Sequence, residues 1–376
     1  MKKKFAALAL CLSLAISLFG CAAPEETASQ AASSEAPSSV SGEETASQED
    51  PGEASSAEES DAQSEEQAAF PVTVTDAAGR EVTIEEEPEK LVSGYYITTS
   101  MLIALGQEDK LVGIEAKADS RPIYSLAAPE LLELPSVGTA KEFDLEGCAA
   151  LEPDLVVLPL KLKDTVSALE ELGIPVVLAN PEDMELLTET IEMLGAATGA
   201  AEQAEALLAY NTQTQDELTA LLADAERPTV YLAGNSSYLN TAGAKMYQNT
   251  LIELGGGTNV AAELEDDYWA EVSYEQLLAW DPEVIVIVPE AAYTKDELVN
   301  DVQLAELTAV KNGAVYEMPS SFEAWDSPVP SAMLGSRWMA AVLHDDLYSF
   351  ETFCDDAAAF YQEFYGVEID ASLLTK

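Results

Sequence analysis

The chain contains very little histidine. Among its 376 residues there is one, His344. A single histidine excludes histidine-rich zinc or manganese sites and the conventional Ser-His-Asp or Cys-His catalytic centres. His344 follows a helical pattern at Met333–Leu343, where a cation near the helix carboxyl end has a sufficient structural explanation. We therefore predict that His344 has no catalytic role.

Cysteine and the common cofactor motifs are also scarce. After the first 21 residues only Cys148 and Cys354 remain. They lie on apolar helical patterns in different halves of the chain, which favours two buried free thiols over a disulfide or a metal pair. The sequence has no Gly-x-Ser-x-Gly elbow, no phosphate-binding Gly-rich loop ending in Lys-Ser or Lys-Thr, and no Cys-x-x-Cys pair. It predicts neither a cofactor nor a resident metal.

Basic residues are few: 17 Lys and Arg stand against 69 Asp and Glu, and the formal net charge is −52. Nucleic acid is excluded as a partner, because phosphate binding needs a basic surface. Residues 22–69 lack both basic and aromatic side chains. Such a segment buries too little surface to offset its chain entropy. We predict a disordered tether at 21–69 with an average reach of roughly 40 Å.

The amino terminus has the pattern of a bacterial lipoprotein signal. Lys2 to Lys4 precede an apolar stretch, Phe5–Phe19, that is too short to span a membrane and is followed directly by Gly20 and Cys21. Cleavage after residue 20 would leave Cys21 for lipid attachment, on the outer face of a membrane. An ordinary secretory signal with an incidental cysteine is the alternative. The long tether suits a thick wall and so favours a Gram-positive source.

The most informative feature present is an internal duplication. The stretch Glu142–Pro159 is matched by Glu271–Pro289 about 130 residues later. In each stretch, a glutamate stands four positions before a second glutamate, which is Glu146 or Glu275. After it come an apolar helical turn, an acidic residue followed by proline, and a run of β-branched residues. Proline ends the helix and the run begins a buried strand. Two similar α/β lobes are predicted, at 70–200 and 228–376, joined by a long helix within 201–227.

Hydrophobic periodicity predicts the individual elements. Predicted strands are 72–74, 82–84, 91–93, 111–114, 155–158, 176–178, 229–233, 284–288 and 314–317. Predicted helices are 98–105, 165–172, a helical stretch from 182 to 227 interrupted at Gly199, 247–254, 274–279, one near 302–304, 332–343 and 350–365. Within the interrupted stretch, Ala201–Ala225 reads as one continuous helix.

Several motifs together resemble a known family. In chain order they are Asp76–Ile84, Pro88–Val92, Leu105–Ile114, Pro135–Gly138, the Glu-Pro-Asp run at residue 152, Leu254–Asn259, Trp325–Pro328 and Phe360–Gly366. This order resembles the helical-backbone (class III) solute-binding proteins of ABC importers, which serve ferric siderophores, haem and cobalamin. The resemblance covers nearly everything from Val72 onward. It implies two Rossmann-like lobes, one connecting helix, limited hinge motion, no enzymatic activity, and a monomer that delivers a solute to a permease dimer with its ATPase.

The resemblance also implies a role for the duplicated glutamates. In the members that the chain resembles, one surface glutamate per lobe pairs with arginines on the two permease subunits, and those positions fall on Glu146 and Glu275. A two-fold pair of carboxylates matches a two-fold permease. The alternative is that both merely favour the dipoles of their helices. Glu142 and Glu271 are the second choice for docking.

The solute-binding cleft is expected beyond the carboxyl ends of the strands. Tyrosine and tryptophan there offer broad, rigid contact with a polar tip, and arginine offers paired donors to oxyanions. The predicted ligand-binding residues are Tyr95, Tyr96, Lys117, Arg121, Tyr124, Lys161, Lys163, Tyr238, Trp269, Tyr293, Trp325 and Arg337. For any single lysine among them, solubility is an equal explanation.

The concentration of cations near the cleft predicts an anionic solute. A small-molecule metal chelate, either a ferric siderophore or haem, fits this better than a corrinoid does. Molybdate or tungstate is an alternative, which the many tyrosines disfavour. A different class of function, a surface enzyme using a carboxylate pair, would draw on Asp266 and Asp267 or on Glu323 and Asp326.

Overall fold

The structure is a computed structural model that describes residues 70–264 and 268–376. The predicted signal peptide, the lipidated Cys21, the tether and the pair Asp266 and Asp267 lie outside the described residues. Inside these two ranges, every helix is too short or too polar to cross a membrane.

The described part begins with an antiparallel hairpin of β1 (Val72–Thr75) and β2 (Glu81–Ile84), as predicted. Asp76 holds its turn. The Asp76 carboxylate accepts hydrogen bonds from the backbone N–H of Ala78 and of Arg80, each at 3.0 Å, and forms an ion pair with the Arg80 guanidinium at 2.6 Å. The same guanidinium donates to the carbonyl of Val176 at 2.8 Å, so the hairpin is attached to the first lobe.

Two four-stranded parallel sheets form the centres of the lobes. The first contains β3 (Leu91–Ser93), β4 (Leu111–Ile114), β5 (Leu155–Pro159) and β6 (Val176–Ala179) in the order β4-β3-β5-β6. The second contains β7 (Thr229–Ala233), β9 (Thr258–Asn259), β11 (Val284–Ile287) and β12 (Val315–Glu317) in the order β12-β11-β7-β9. Two short strands, β8 (Asn240–Thr241) and β10 (Ala270–Glu271), pair separately. The central strands are buried on both faces, which explains their continuous apolar runs.

Helices surround the sheets. In chain order they are α1 (Tyr96–Ala104), α2 (Pro122–Ala127), α3 (Leu145–Ala150), α4 (Val166–Glu170), α5 (Met184–Thr198), α6 (Ala201–Leu221), α7 (Tyr247–Leu254), α8 (Tyr274–Trp280), α9 (Lys295–Val299), α10 (Thr308–Asn312), α11 (Ala332–Leu343) and α12 (Phe350–Tyr365). The bounds of α7, α11 and α12 are those that the periodicity predicts.

The duplicated sequence folds into the same unit twice. In the first lobe α3 leads into β5, and in the second α8 leads into β11. Each helix is capped by a side chain, since Asp144 accepts from the N–H of Gly147 and Ser273 from the N–H of Gln276. The fold class, α/β with two Rossmann-like lobes joined by a long helix, is confirmed.

Each copy also ends its helix in the same way. Glu152 has a φ of 51° and Asp281 a φ of 43°, and each is followed by proline. A left-handed acidic residue before proline therefore closes both helices.

The predicted end of the connecting helix and one other predicted helix are wrong. Helix α6 ends at Leu221 and residues 222–224 form a turn, because the approach to Pro228 is extended and anchored by the Arg227 guanidinium, which donates to the carbonyls of Glu253 and Gly257. The segment near 302–304 is also a turn. It forms two successive turns, in which the N–H of Leu304 donates to the carbonyl of Asp301 and the N–H of Leu307 to that of Leu304, each at 3.0 Å. The lobe boundaries at 200 and 228 stay a prediction.

One apolar core crosses both lobes. Met101 of α1, Leu207 of α6, Leu251 of α7 and Phe360 of α12 belong to a single buried cluster. A smaller cluster lies behind each sheet, one with Val156 and one with Ile285. The shared core fixes the lobes to each other more firmly than one helix would.

Candidate functional site

The loops after β3 and β4 bring four of the predicted side chains together in the first lobe. Tyr95, Tyr96, Arg121 and Tyr124 form this group, here called the N-lobe cluster. The rings of Tyr95 and Tyr96 meet edge to face with centroids 5.5 Å apart, and the Arg121 guanidinium lies 4.0 Å above the Tyr96 ring. The cation–π contact holds the guanidinium over the aromatic ring.

A buried carboxyl group supports the N-lobe cluster from below. Glu115 accepts hydrogen bonds from the hydroxyls of Thr99 at 2.6 Å and Tyr124 at 2.9 Å, and Tyr124 also donates to the carbonyl of Tyr96 at 3.1 Å. Burial raises the pKa of Glu115. Tyr124 is completely buried. Its role is therefore to position Tyr96, and the prediction that it contacts the ligand is corrected.

Three aromatic residues lie near the end of β7 in the second lobe and are here called the C-lobe cluster: Tyr238, Trp269 and Tyr293. The rings of Tyr238 and Tyr293 stand edge to face at 5.2 Å, and the Tyr293 hydroxyl donates to the carbonyl of Gly234 at 2.9 Å. A Cβ at Gly234 would lie 2.7 Å from the Trp269 ring, so only glycine allows this close packing. The Tyr238 hydroxyl donates to Asp301 at 2.7 Å, which leaves its ring as the available surface.

Two contacts join the lobes across the cleft. Arg121 Nη1 lies 3.7 Å from Glu290 Oε1, and the hydroxyl of Tyr96 lies 3.4 Å from that of Ser327. Neither Glu290 nor Ser327 was selected from the sequence. The available signal was position, because Glu290 follows β11 as Tyr95 follows β3.

Asp326 lies beside this crossing and is buried. Burial raises its pKa to about 7, and the negative charge of Glu290 adds to the rise. Its main-chain carbonyl accepts a hydrogen bond from Gln248 Nε2 at 2.7 Å. Among the described residues, the Arg121 guanidinium therefore faces the exposed Glu290 carboxylate, and the buried Asp326 carboxyl group lies near Glu290.

Two predicted ligand-binding residues belong to the protein interior. Trp325 is 1% exposed, donates through Nε1 to the Tyr361 hydroxyl at 3.1 Å, and packs edge to face on Phe353. Arg337 is paired with Glu217 at 2.6 Å and with Asp356 at 3.0 Å, which ties α11 to α6 and α12. Both assignments are corrected, because neither side chain is free to meet a solute.

The remaining predicted cations are exposed. Lys117 has a left-handed φ of 69° in the turn after β4, while Lys161 and Lys163 lie in the helical turn after β5. Their contact with a solute stays a prediction.

The carboxyl pair suspected of enzymatic work is held in structural bonds. Glu323 is buried and accepts hydrogen bonds from Ser331 at 2.5 Å and from Tyr365 at 3.0 Å. Burial raises its pKa to about 7. Across residues 70–264 and 268–376, no group of three or more His, Cys, Asp or Glu side chains is arranged to hold a metal.

The docking candidates occupy equivalent places in the two lobes. Glu146 is the second residue of α3 and Glu275 the second residue of α8, and both are exposed. Glu142 and Glu271 are exposed as well, but neither lies on a helix: Glu142 belongs to a turn and Glu271 to β10. The helix position distinguishes the first pair from the second.

Comparison with known proteins places this geometry in a family. A model of the family described as "Periplasmic binding protein" matches residues 91–322. The molybdate-binding protein MolA of Haemophilus influenzae is 26% identical over 320 residues, which are 78% of this chain and 90% of that protein. The uncharacterized ABC transporter substrate-binding lipoprotein YvrC of Bacillus subtilis is 27% identical, over 66% of this chain and 78% of that one. A periplasmic solute-binding protein from Veillonella parvula has a similar structure, with a TM-score of 0.71, 27% identity, and coverage of 80% of this chain and 95% of that one.

The chain belongs to the periplasmic binding protein family, in its class III architecture. It is a solute-binding protein of an ABC importer and acts outside the membrane. Its relatives are transport proteins and not enzymes, so the carboxylate-pair enzyme is set aside.

Proposed function

We propose that the interlobe cleft captures an anionic metal complex, a ferric siderophore or haem, and delivers it to a membrane permease. The observation that carries this proposal is Arg121. Its guanidinium lies 4.0 Å from the centre of the Tyr96 ring and reaches Glu290 only at 3.7 Å, beyond an ordinary hydrogen bond. Its N–H groups thus make only a long contact with Glu290, which belongs to the opposite lobe. A carboxylate or catecholate oxygen would satisfy them better than Glu290 does.

Aromatic surface supports the choice of a large complex. Tyr95 and Tyr96 present rings from one lobe, and Trp269 and Tyr293 present rings from the other. Planar or chelated ligands gain both apolar contact and polar tips from such walls. A corrinoid has less to gain from Arg121 unless it carries exposed acidic groups.

Molybdate or tungstate is the second candidate. The H. influenzae relative, aligned over 90% of its length, is named for molybdate binding. Two aromatic residues that argued for a large ligand, Tyr124 and Trp325, are buried here, so the aromatic wall is smaller than the sequence predicted. Arg121 with the hydroxyls of Tyr96 and Ser327 would suit a compact oxyanion.

A binding panel tests the solute. Tryptophan fluorescence quenching and native mass spectrometry are run with haem, a ferric catecholate, a ferric hydroxamate, molybdate and cyanocobalamin. We expect an anionic ferric complex to bind best, and Arg121→Ala to weaken it at least about tenfold through loss of a charge-assisted contact. Arg227→Ala, which removes a guanidinium away from the cleft, is the matched control. Binding of molybdate alone would replace the chelate by the oxyanion, and tight binding indifferent to Arg121 would overturn the proposal.

We also propose that Glu146 and Glu275 dock the protein on the two permease subunits. Both are exposed, both stand at the second position of a side-chain-capped helix, and the two helices belong to a repeated unit. Rim charges of this kind set orientation and association rate.

Uptake measurements test the docking. The double variant Glu146→Ala with Glu275→Ala is expected to abolish uptake of the bound solute while its affinity for the purified protein stays unchanged. The pair Glu142→Ala with Glu271→Ala provides a control of equal charge change. Full uptake by the first double variant would refute the assignment, and loss only in the second would transfer docking to Glu142 and Glu271.

Lipid attachment at Cys21 completes the proposal. The Lys-rich start, the apolar stretch and the Gly20-Cys21 pair support it, as does the B. subtilis lipoprotein among the relatives. We propose a monomer held on the outer face of a Gram-positive membrane by 21–69. Metabolic labelling with a radioactive fatty acid should mark the wild-type chain and not Cys21→Ala, and equal labelling of both would refute the anchor.

A further inference from the structure

The cleft contains a carboxylate that competes with the solute. Arg121 comes from the first lobe and Glu290 from the second, and their closest atoms are 3.7 Å apart. Among the residues that the structure describes, Glu290 is the carboxylate within ion-pair distance of this guanidinium. A solute anion that binds Arg121 must either displace the Glu290 carboxylate or lie beside it.

The backbone fixes Glu290 in this place. Glu290 has a φ of 57°, in the left-handed region that side chains other than glycine rarely adopt. The loop is held on both sides, because the N–H of Val288 donates to the carbonyl of Ala233 at 3.1 Å and the N–H of Ala292 to that of Asn235 at 2.7 Å. The side chain therefore starts from a defined point at the cleft rather than from a mobile loop.

We infer that Glu290 is a specificity-determining residue, an internal counter-ion that an anionic solute must outcompete for Arg121, so that anions offering a single weak contact are rejected. The inference rests on the proposed function, since it needs an anionic solute at Arg121. A ligand with two oxygens in one plane can occupy two guanidinium donors at once, whereas Glu290 in its present geometry lies beyond hydrogen-bond distance. Such a ligand displaces Glu290, and a singly bonded anion does not.

The test uses the intact protein and Glu290→Gln. We expect affinity for the anionic member of the panel that wild type binds best to rise about tenfold, because a like charge near the solute is removed. Affinity for chloride, a small anion without paired oxygens, should rise from unmeasurable to measurable. Glu306→Gln is the matched control: Glu306 is an exposed C-lobe carboxylate paired with Lys311 at 2.7 Å, in the segment before α10, and should change neither affinity.

The outcomes separate this inference from the proposed function. If Arg121→Ala weakens anion binding and Glu290→Gln leaves it unchanged, the inference is overturned and the proposed function stands. If Arg121→Ala has no effect on any anion, the proposed function fails as well. An equal gain for cyanocobalamin would show a change of shape rather than charge and would also overturn the inference. Glu290→Gly relieves the left-handed strain, so it provides a folded second variant in which the same tenfold gain is expected.

Discussion

Two buried carboxyl groups, Glu323 and Asp326, lie three residues apart in the segment that leads into α11. Burial raises the pKa of each to about 7. In the unfolded chain both would titrate near their ordinary values of about 4. Between these limits the folded protein binds more protons than the unfolded chain does. The protonated forms of these two groups therefore stabilise the folded protein fully below pH 4, and this stabilisation is lost as the pH rises through about 7.

A pH series on Glu323→Gln checks this sign. We expect the free energy of unfolding of the wild type to fall between about pH 4 and 7, with each group contributing about 4 kcal/mol over the whole range. Glu323→Gln should remove about half of the fall, and adding Asp326→Asn should remove most of the rest. Urea unfolding at each pH measures the free energy of unfolding, and Glu306→Gln should keep the pH dependence of the wild type. A wild-type stability that rises over this range would contradict the assignment.

Arg337 provides a second prediction at the level of one residue. It joins Glu217 of α6 to Asp356 of α12, and Tyr348 also donates a hydrogen bond to the Asp356 carboxylate. Arg337→Met should lower the free energy of unfolding by about 1 to 3 kcal/mol, because the carboxylates lose their partner but retain some solvent. Affinity for the solute should not change. A loss of affinity without a loss of stability would restore Arg337 to the ligand-binding set.

At the scale of elements, α3 and α8, which carry the glutamates proposed for docking, are short and depend on their first turns. Helix α3 has six residues and α8 has seven, each with one side-chain cap, Asp144 or Ser273. Such helices have little intrinsic stability, so the cap matters more than it would in a long helix. The cap also fixes the direction in which Glu146 or Glu275 leaves the surface.

Removing the caps should weaken both helices. Asp144→Ala and Ser273→Ala are each expected to lower the free energy of unfolding by about 1 kcal/mol, and the double variant by their sum, because the sites lie in different lobes. Chemical denaturation measures the three variants. Ser320→Ala, in a loop after β12, is expected to be neutral. A double variant as stable as wild type would show that the caps do not hold the helices.

The elements also show which parts of the fold the sequence predicts. Helices α11 and α12 and the hairpin were predicted because their apolar spacing is regular and their ends carry Ser, Gly or a turn. The short helices α2, α9 and α10 were not predicted, since five or six residues hold too little periodicity to register. The cleft loops were predicted from the strand ends, but which side chains face the cleft was not. Burial of Trp325 and Tyr124 depends on packing between distant segments, and residue type alone does not reveal it.

At the scale of the whole molecule, the continuous core decides how the lobes behave. Met101 from the first lobe and Phe360 from the last helix share one buried cluster, and Ser327 and Glu290 meet the first lobe across the cleft. Opening the lobes widely would expose this cluster to water, at a cost of about 25 cal/mol for each Å² of apolar surface. We therefore expect motion of the lobes to be limited to small rotations.

Calorimetry tests whether the two lobes unfold together. We expect residues 70–376 to unfold in a single transition, since neither lobe keeps its core when the other unfolds. Small-angle scattering with and without the best-binding solute should show a change in radius of gyration below about 1 Å, as expected for small rotations of packed elements. Two resolved calorimetric transitions, or a large contraction on binding, would contradict a shared core.

The repeated helix start has a consequence for how the protein meets its transporter. If Glu146 and Glu275 mark the two ends of the docking surface as proposed, a half-turn of the body about the cleft axis exchanges one end with the other. A permease built from two alike subunits would accept either arrangement, with the cleft over its entrance in both. Encounters in either of the two orientations then lead to delivery, so the protein does not have to reorient by a half-turn before it docks.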